Sequence, residues 1–173
     1  MQFYSGFSLK NEVHFFQQYM DMSDFTVAGF SYGAILAFED VYQKVFSGKR
    51  VDRLQLFSPA FFQTKSIKFK RLQTLSFQKN KEAYLQNFIS SCFSPHLVKQ
   101  IEHTQCDSEA LEKLLYYEWS LPKLVELAEK NVAIEVYLGE KDHIIDSNGA
   151  KDFFVNVATV TSIKDANHFL QTS

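Results

Sequence analysis

The sequence predicts an α/β fold with a mostly parallel sheet and a helical cap inserted over one end. Three observations predict it. Short apolar strand patterns alternate with amphipathic helical ones up to Pro59, a long stretch of helix-only patterning follows to Lys130, and strand and helix then alternate again. Met1 to Tyr4 reads as a strand stopped at Ser5-Gly6, and Leu9 to Met20 as a helix carrying Val13, Phe16 and Met20 on one face, with Lys10 or Asn11 near its start. Asp24 to Ala28 is a second strand cut off at Gly29. Ala34 to Phe46 is a helix ending at Ser47-Gly48, where glycine can take the left-handed conformation that closes a helix. Val51 to Phe57 alternates apolar and polar residues up to Ser58-Pro59, giving a third strand. Strands separated by helices pair in parallel through right-handed crossovers.

From Phe61 onward, helical stretches run through Lys79 to Ser91, Pro95 to Glu102, Ser108 to Trp119 and Pro122 to Asn131, with Pro95 and Pro122 suited to a first helical turn. That is more chain than a crossover needs. Residues 61–131 are therefore expected as the cap, and 1–60 with 132–173 as the core of one structural unit. Val132 to Leu138 is a fourth strand ending at Gly139, Ser147 to Val157 a helix, and Thr159 to Lys164 a fifth strand.

Composition narrows the function classes. With 46% hydrophobic and 22% charged residues in 173, the chain can bury a core and is not a disordered one. Its 18 Phe predict a core or cavity walled by flat apolar side chains. The net charge of -2 hides ten Lys/Arg against Asp52 alone between Val41 and Lys81, a positive face for an acidic partner. Nucleic acid fits less well, since no binding module accompanies the patch and the whole chain is acidic. Cys92 and Cys106 have no CxxC spacing, no apolar run approaches a membrane span, and Met1 to Gly6 lacks the features of a leader, so a cytoplasmic protein with no membrane partner is expected. No His and carboxylate cluster has metal-ligand spacing and no Gly-rich phosphate loop occurs, so neither metal nor cofactor is expected.

The chemistry concentrates in Gly29-Phe30-Ser31-Tyr32-Gly33, a G-x-S-x-G placed between a strand and a helix. A nucleophile on so sharp a turn needs glycine two residues to either side, because strand and helix approach closely there. Ser31 also needs a base and an orienter. Asp142 follows the fourth strand and His168 the fifth, in the order Ser, Asp, His. Asp146 rivals Asp142 but suits the N-cap of the next helix, and His143 is a less apt base than His168 because it adjoins the acid.

These landmarks resemble the α/β-hydrolases over nearly the whole chain. Ser5-Gly6-Phe7 resembles the family's oxyanion loop, with Ser5 where His is usual; Gly29 to Gly33 the nucleophile elbow; Ser58-Pro59 the Ser-Pro after the next strand; Gly139 to Asp142 the acid loop; and Ala166 to Phe169 the histidine loop. The family's two opening strands have no counterpart, so a minimal sheet is expected. The resemblance implies a serine carboxylesterase with Ser31, Asp142 and His168 as catalytic residues and the backbone N–H groups of Phe7 and Tyr32 as oxyanion donors. Within the family, size, cap and basic run look most like the small pimeloyl-[acyl-carrier-protein] methyl ester esterases of biotin synthesis. That narrower likeness implies acyl carrier protein as partner, with Lys65, Lys68, Lys70 and Arg71 as contacts. A thioesterase or short-chain esterase on free acyl esters, and a degenerate hydrolase serving as a binding module, are the alternatives.

Overall fold

The computed structural model describes residues 1–173. In chain order its elements are β1 (Gln2–Tyr4), β2 (Leu9–Lys10), a 3₁₀ helix (Glu12–Tyr19), β3 (Thr26–Phe30), α1 (Tyr32–Phe46), β4 (Arg53–Phe57), α2 (Ile67–Lys79) and α3 (Lys81–Phe93). They continue with β5 (Glu102–His103), α4 (Ser108–Tyr116), α5 (Leu121–Glu129), β6 (Ala133–Gly139), α6 (Ser147–Phe154) and β7 (Thr159–Ile163). Five strands form one wholly parallel sheet in the order β1-β3-β4-β6-β7. Parallel strands end on one edge, so the segments following β1, β3, β6 and β7 all emerge there.

Alternate side chains of the strands feed two apolar clusters. Val27, Leu54 and Leu56 join the cluster that includes residues of α1, α5 and α6, whereas Ala28, Phe30 and Phe57 join the one holding Phe15 and Phe16. Phe16 stacks on Phe57 at 4.9 Å. Buried Gln55 stitches this second face: its amide donates to Tyr19 O and Glu135 Oε2, and its oxygen accepts the Asp21 N–H.

Three expectations are corrected. Leu9 to Met20 is not one α-helix: Leu9 and Lys10 pair with β5, Asn11 turns the chain at φ 63°, and a 3₁₀ helix follows. Pro95 to Glu102 forms no helix. Its apolar spacing suggested one, yet Leu97 and Val98 are exposed, so that stripe meets no surface, and the segment ends in the antiparallel β5. Conversely, α2 had no visible apolar stripe, because the residues it buries are Lys70, Thr74 and Phe77. Ser66 caps it, accepting the Phe69 N–H at 3.2 Å. Helices α2, α3 and α4 pack together over the pocket described below, whereas α5 returns to α1, joined by Tyr42 Oη to Glu126 (2.5 Å) and Lys123 to Glu39 (3.5 Å).

The elbow glycines are fixed by contact. A Cβ at Gly29 would lie 2.2 Å from Gly33 O, and one at Gly33 would lie 2.0 Å from Tyr4 O, so in each case backbone must move. Gly29→Ala or Gly33→Ala should cost about 4 kcal/mol or more, seen as a Tm fall of about 8–16 °C by circular dichroism. Gly48→Ala is the control: only its φ of 82° resists a side chain, and nothing lies within 4 Å. That strain is worth about 1–2 kcal/mol. Equal losses at all three positions would refute the close-approach account.

Candidate active site

Between β3 and α1 stands the single residue Ser31, at φ 52° and ψ -114°. A non-glycine residue held there is strained and persists only if its surroundings over-determine it. They do: the Ser31 N–H donates to Phe57 O at 3.0 Å, and Ser31 O accepts the N–H groups of Ala34 and Ala60, both at 3.1 Å. Its hydroxyl lies 3.1 Å from Nε2 of His168, and Nδ1 of His168 lies 2.6 Å from Oδ2 of Asp142. The His168 and Asp142 side chains are fully buried. Oδ1 of Asp142 accepts the N–H groups of Ile144 (2.7 Å) and Ile145 (3.2 Å), which aims the carboxylate at the ring. A carboxylate can only accept, so the proton sits on Nδ1 and the Nε2 lone pair faces the Ser31 hydroxyl.

The histidine loop is held from the end of α3. His168 donates its N–H to Cys92 O at 3.2 Å, and the Asn167 amide donates to Phe93 O at 2.9 Å. Asn167 Oδ1 in turn accepts the N–H groups of Phe169 and Gln171. Gly139, at the end of β6, lets the acid strand meet this loop, since a Cβ there would stand 2.3 Å from Asn167 O.

Asp146 is occupied elsewhere. It caps α6, accepting the Gly149 N–H, and takes the Thr64 hydroxyl on its other oxygen. The Gly149 N–H, then the Thr64 hydroxyl, and the charge of Lys65 hold its carboxyl below the usual range. His143 lines the pocket without bonding Ser31. Burial pushes the Cys92 thiol well up, so it offers no ready thiolate.

Ser31 opens into a cavity of about 360 Å³. Phe7 also lines it, and Tyr32 begins α1, where a helix leaves its first N–H groups without intrahelical partners. Of the phenylalanines between positions 61 and 93, Phe62, Phe69 and Phe88 reach the cavity, whereas Phe61, Phe77 and Phe93 are core. The sequence reading missed a polar side of this cavity: Gln73 and Ser76 from α2, Asn87 and Ser91 from α3. Spacings of three and four residues put each pair on one helix face, but α2 itself had not been recognised. Tyr84 lies between, donating to Gln73 Oε1 at 3.1 Å, and burial pushes its hydroxyl up to about 12, which keeps it a neutral donor.

The expected basic contacts separate. Lys68 and Arg71 are exposed and form no ion pair, and Lys65 sets its ammonium 5.8 Å from the ring of Phe69, a cavity residue. Lys70 is the correction. Only 7% exposed, it lies in α2's buried stripe with its ammonium over the Tyr116 ring, so it is no surface contact. No group of three or more His, Cys, Asp or Glu side chains is placed to hold a metal ion, and no helix is long and apolar enough to cross a membrane.

A parallel sheet with a serine at this elbow, and an acid and a histidine after later strands, is the α/β-hydrolase fold, and solved structures of that fold match the chain. One is naproxen esterase, a carboxylesterase of Bacillus subtilis, at TM-score 0.55 and 15% identity over 85% of this chain and 54% of that one. Another is BioG of Haemophilus influenzae, at TM-score 0.58 and 10% identity over 98% of this chain and 88% of that one. ClbQ, from the colibactin NRPS/PKS pathway, matches at TM-score 0.52 and 17% identity, over 89% and 64%. The chain thus spans about half the length of the Bacillus esterase and most of BioG. No protein-family model and no curated protein sequence matches it.

Proposed function

We propose that the chain is a carboxylic ester hydrolase in which Ser31, His168 and Asp142 perform acyl-enzyme chemistry. The observation that carries this reading is the continuous line of hydrogen bonds from Asp142 through His168 to Ser31, at 2.6 and 3.1 Å, on an accessible cavity. His168 takes the hydroxyl proton as Ser31 Oγ bonds to the ester carbonyl carbon. The resulting oxyanion accepts from the N–H groups of Phe7 and Tyr32, each donor worth about 3 kcal/mol. Collapse breaks the carbon–oxygen bond, and the leaving alcohol takes the proton from His168. Water then adds to the acyl-enzyme with His168 again as base, releasing the acid and restoring Ser31.

The substrate we propose is the methyl ester of a pimeloyl-type acyl chain on acyl carrier protein, cleaved in the cytoplasm to supply biotin synthesis. Its supports are the landmarks of the sequence, a fold match spanning 88% of BioG, and the exposed Lys68 and Arg71 on α2, the helix that supplies one wall of the cavity. Lys65, Lys68 and Arg71 are the carrier contacts in this reading. The charge-reversed double variant Lys68→Glu, Arg71→Glu should raise KM for a carrier-bound ester about tenfold, the loss of about 1.4 kcal/mol, and leave p-nitrophenyl acetate turnover unchanged. Unaltered carrier-bound kinetics would remove the docking claim. They would favour the second reading, a thioesterase or short-chain esterase on free acyl esters, for which the modest cavity volume speaks.

A further inference from the structure

The loop after β1 carries Phe7, and at its start Ser5 stands where the resembling family has His. A glycine in such a loop does not define its own backbone, because both signs of φ are open to it. Here Gly6 is pinned from two sides. Its carbonyl accepts the Leu9 N–H at 3.1 Å, and its N–H donates to Oε1 of Glu12 at 2.7 Å. Glu12 opens the 3₁₀ helix and is fully buried, and its other oxygen, Oε2, has no partner. Burial pushes this carboxyl up, against the opposing pull of the Gly6 N–H, its own N–H, the Ser5 hydroxyl and His14. A buried carboxyl so thinly satisfied costs stability. Its one clear contribution is the bond to the loop.

We propose that Glu12 is a positioning residue for the oxyanion loop. Fixing the Ser5–Gly6 peptide through the Gly6 N–H, together with the Leu9 bond to the Gly6 carbonyl, prevents the Gly6–Phe7 peptide from flipping and holds the Phe7 N–H toward the Ser31 side. Glu12 acts through this backbone and does not touch substrate. The inference rests on the ester-hydrolase reading, so the wild type is first tested for fluorophosphonate labelling at Ser31 and p-nitrophenyl acetate turnover; an inert wild type overturns both.

With an active wild type, Glu12→Leu removes the acceptor and should lower kcat about 10- to 100-fold, part of the loss that follows deleting a donor outright. KM should change less than about twofold, because the misplaced donor serves the transition state rather than the bound ester. Glu12→Gln keeps an acceptor oxygen and should stay within about threefold of wild type. Glu12→Asp keeps the carboxyl but withdraws it by one methylene, and carries the same expectation as Glu12→Leu should the latter fail to fold. Affinity for a boronic-acid transition-state analogue should fall in step with kcat. Wild-type kcat in the folded Leu or Asp variant, or Glu12→Gln impaired as severely as they are, would overturn the proposal.

Discussion

Ser31→Ala should abolish ester hydrolysis, lowering kcat by about 10⁶-fold, the loss seen when a serine nucleophile acting as one unit with its base is removed. The side chain supplies the only hydroxyl within hydrogen-bond reach of Nε2 on His168, and no nearby group can take its place. Cys92 is buried and its thiol pushed up, and Asp142 is tied to His168 and two backbone N–H groups. The elbow's backbone bonds do not involve the hydroxyl, so Tm should change by less than about 3 °C, roughly 1 kcal/mol for a chain of this size. Turnover of p-nitrophenyl acetate and the mass of a fluorophosphonate adduct read the result. Activity surviving in a correctly folded alanine variant would place the nucleophile elsewhere, and a wild type with no adduct and no turnover would leave a hydrolase fold used only for binding.

Why the elbow was legible, while half of its surroundings were not, follows from what each residue is bound to. Gly29 and Gly33 leave no room for a Cβ, which would stand 2.2 and 2.0 Å from backbone oxygens, and Ser31 is held at φ 52° between them, so the local sequence has almost no freedom and the pattern declares itself. Asp142 and His168 were found because a parallel sheet delivers every strand's end to one edge. The walls of the cavity obey no such rule. Helix α2 buries Lys70 and Thr74 beside Phe77, which defeats a search for an apolar stripe, and Lys70 read as a surface cation because nothing in its neighbourhood announces the Tyr116 ring that covers it. Glu12 was hidden for the same reason. Its partner, the Gly6 N–H, is a main-chain atom and leaves no mark in the sequence.

The end of α3 joins the cap to the chemistry. The carbonyls of Cys92 and Phe93 hold His168 and Asn167, and the rings of Phe93 and Phe169 meet at 4.5 Å. His168 is therefore held by Asp142 at its ring and by the α3 backbone at its own N–H.

Asp142→Asn tests the acid's part of that arrangement and should lower kcat by about 10⁴-fold with little change in KM. An amide at this place can present its NH₂ to the ring, which favours the tautomer whose proton sits on Nε2 and points at Ser31, where a lone pair is needed. Asp146→Asn separates this effect from mere loss of a nearby charge. Asparagine also caps helices, so the variant should lose only a few tenths of a kcal/mol at neutral pH, and its kcat should stay within about twofold of wild type. The pH dependence of its stability carries a further sign. The Asp146 carboxyl is held below its ordinary value of 3.8 in the folded chain, so it contributes stability above that value and loses the contribution as pH falls through the lower, folded one. The Tm gap between wild type and Asp146→Asn should accordingly narrow on acidification. A 10⁴-fold loss in the Asp146 variant, with Asp142→Asn left active, would transfer the acid's role to Asp146 and contradict the 2.6 Å contact between Asp142 and His168 as the catalytic one.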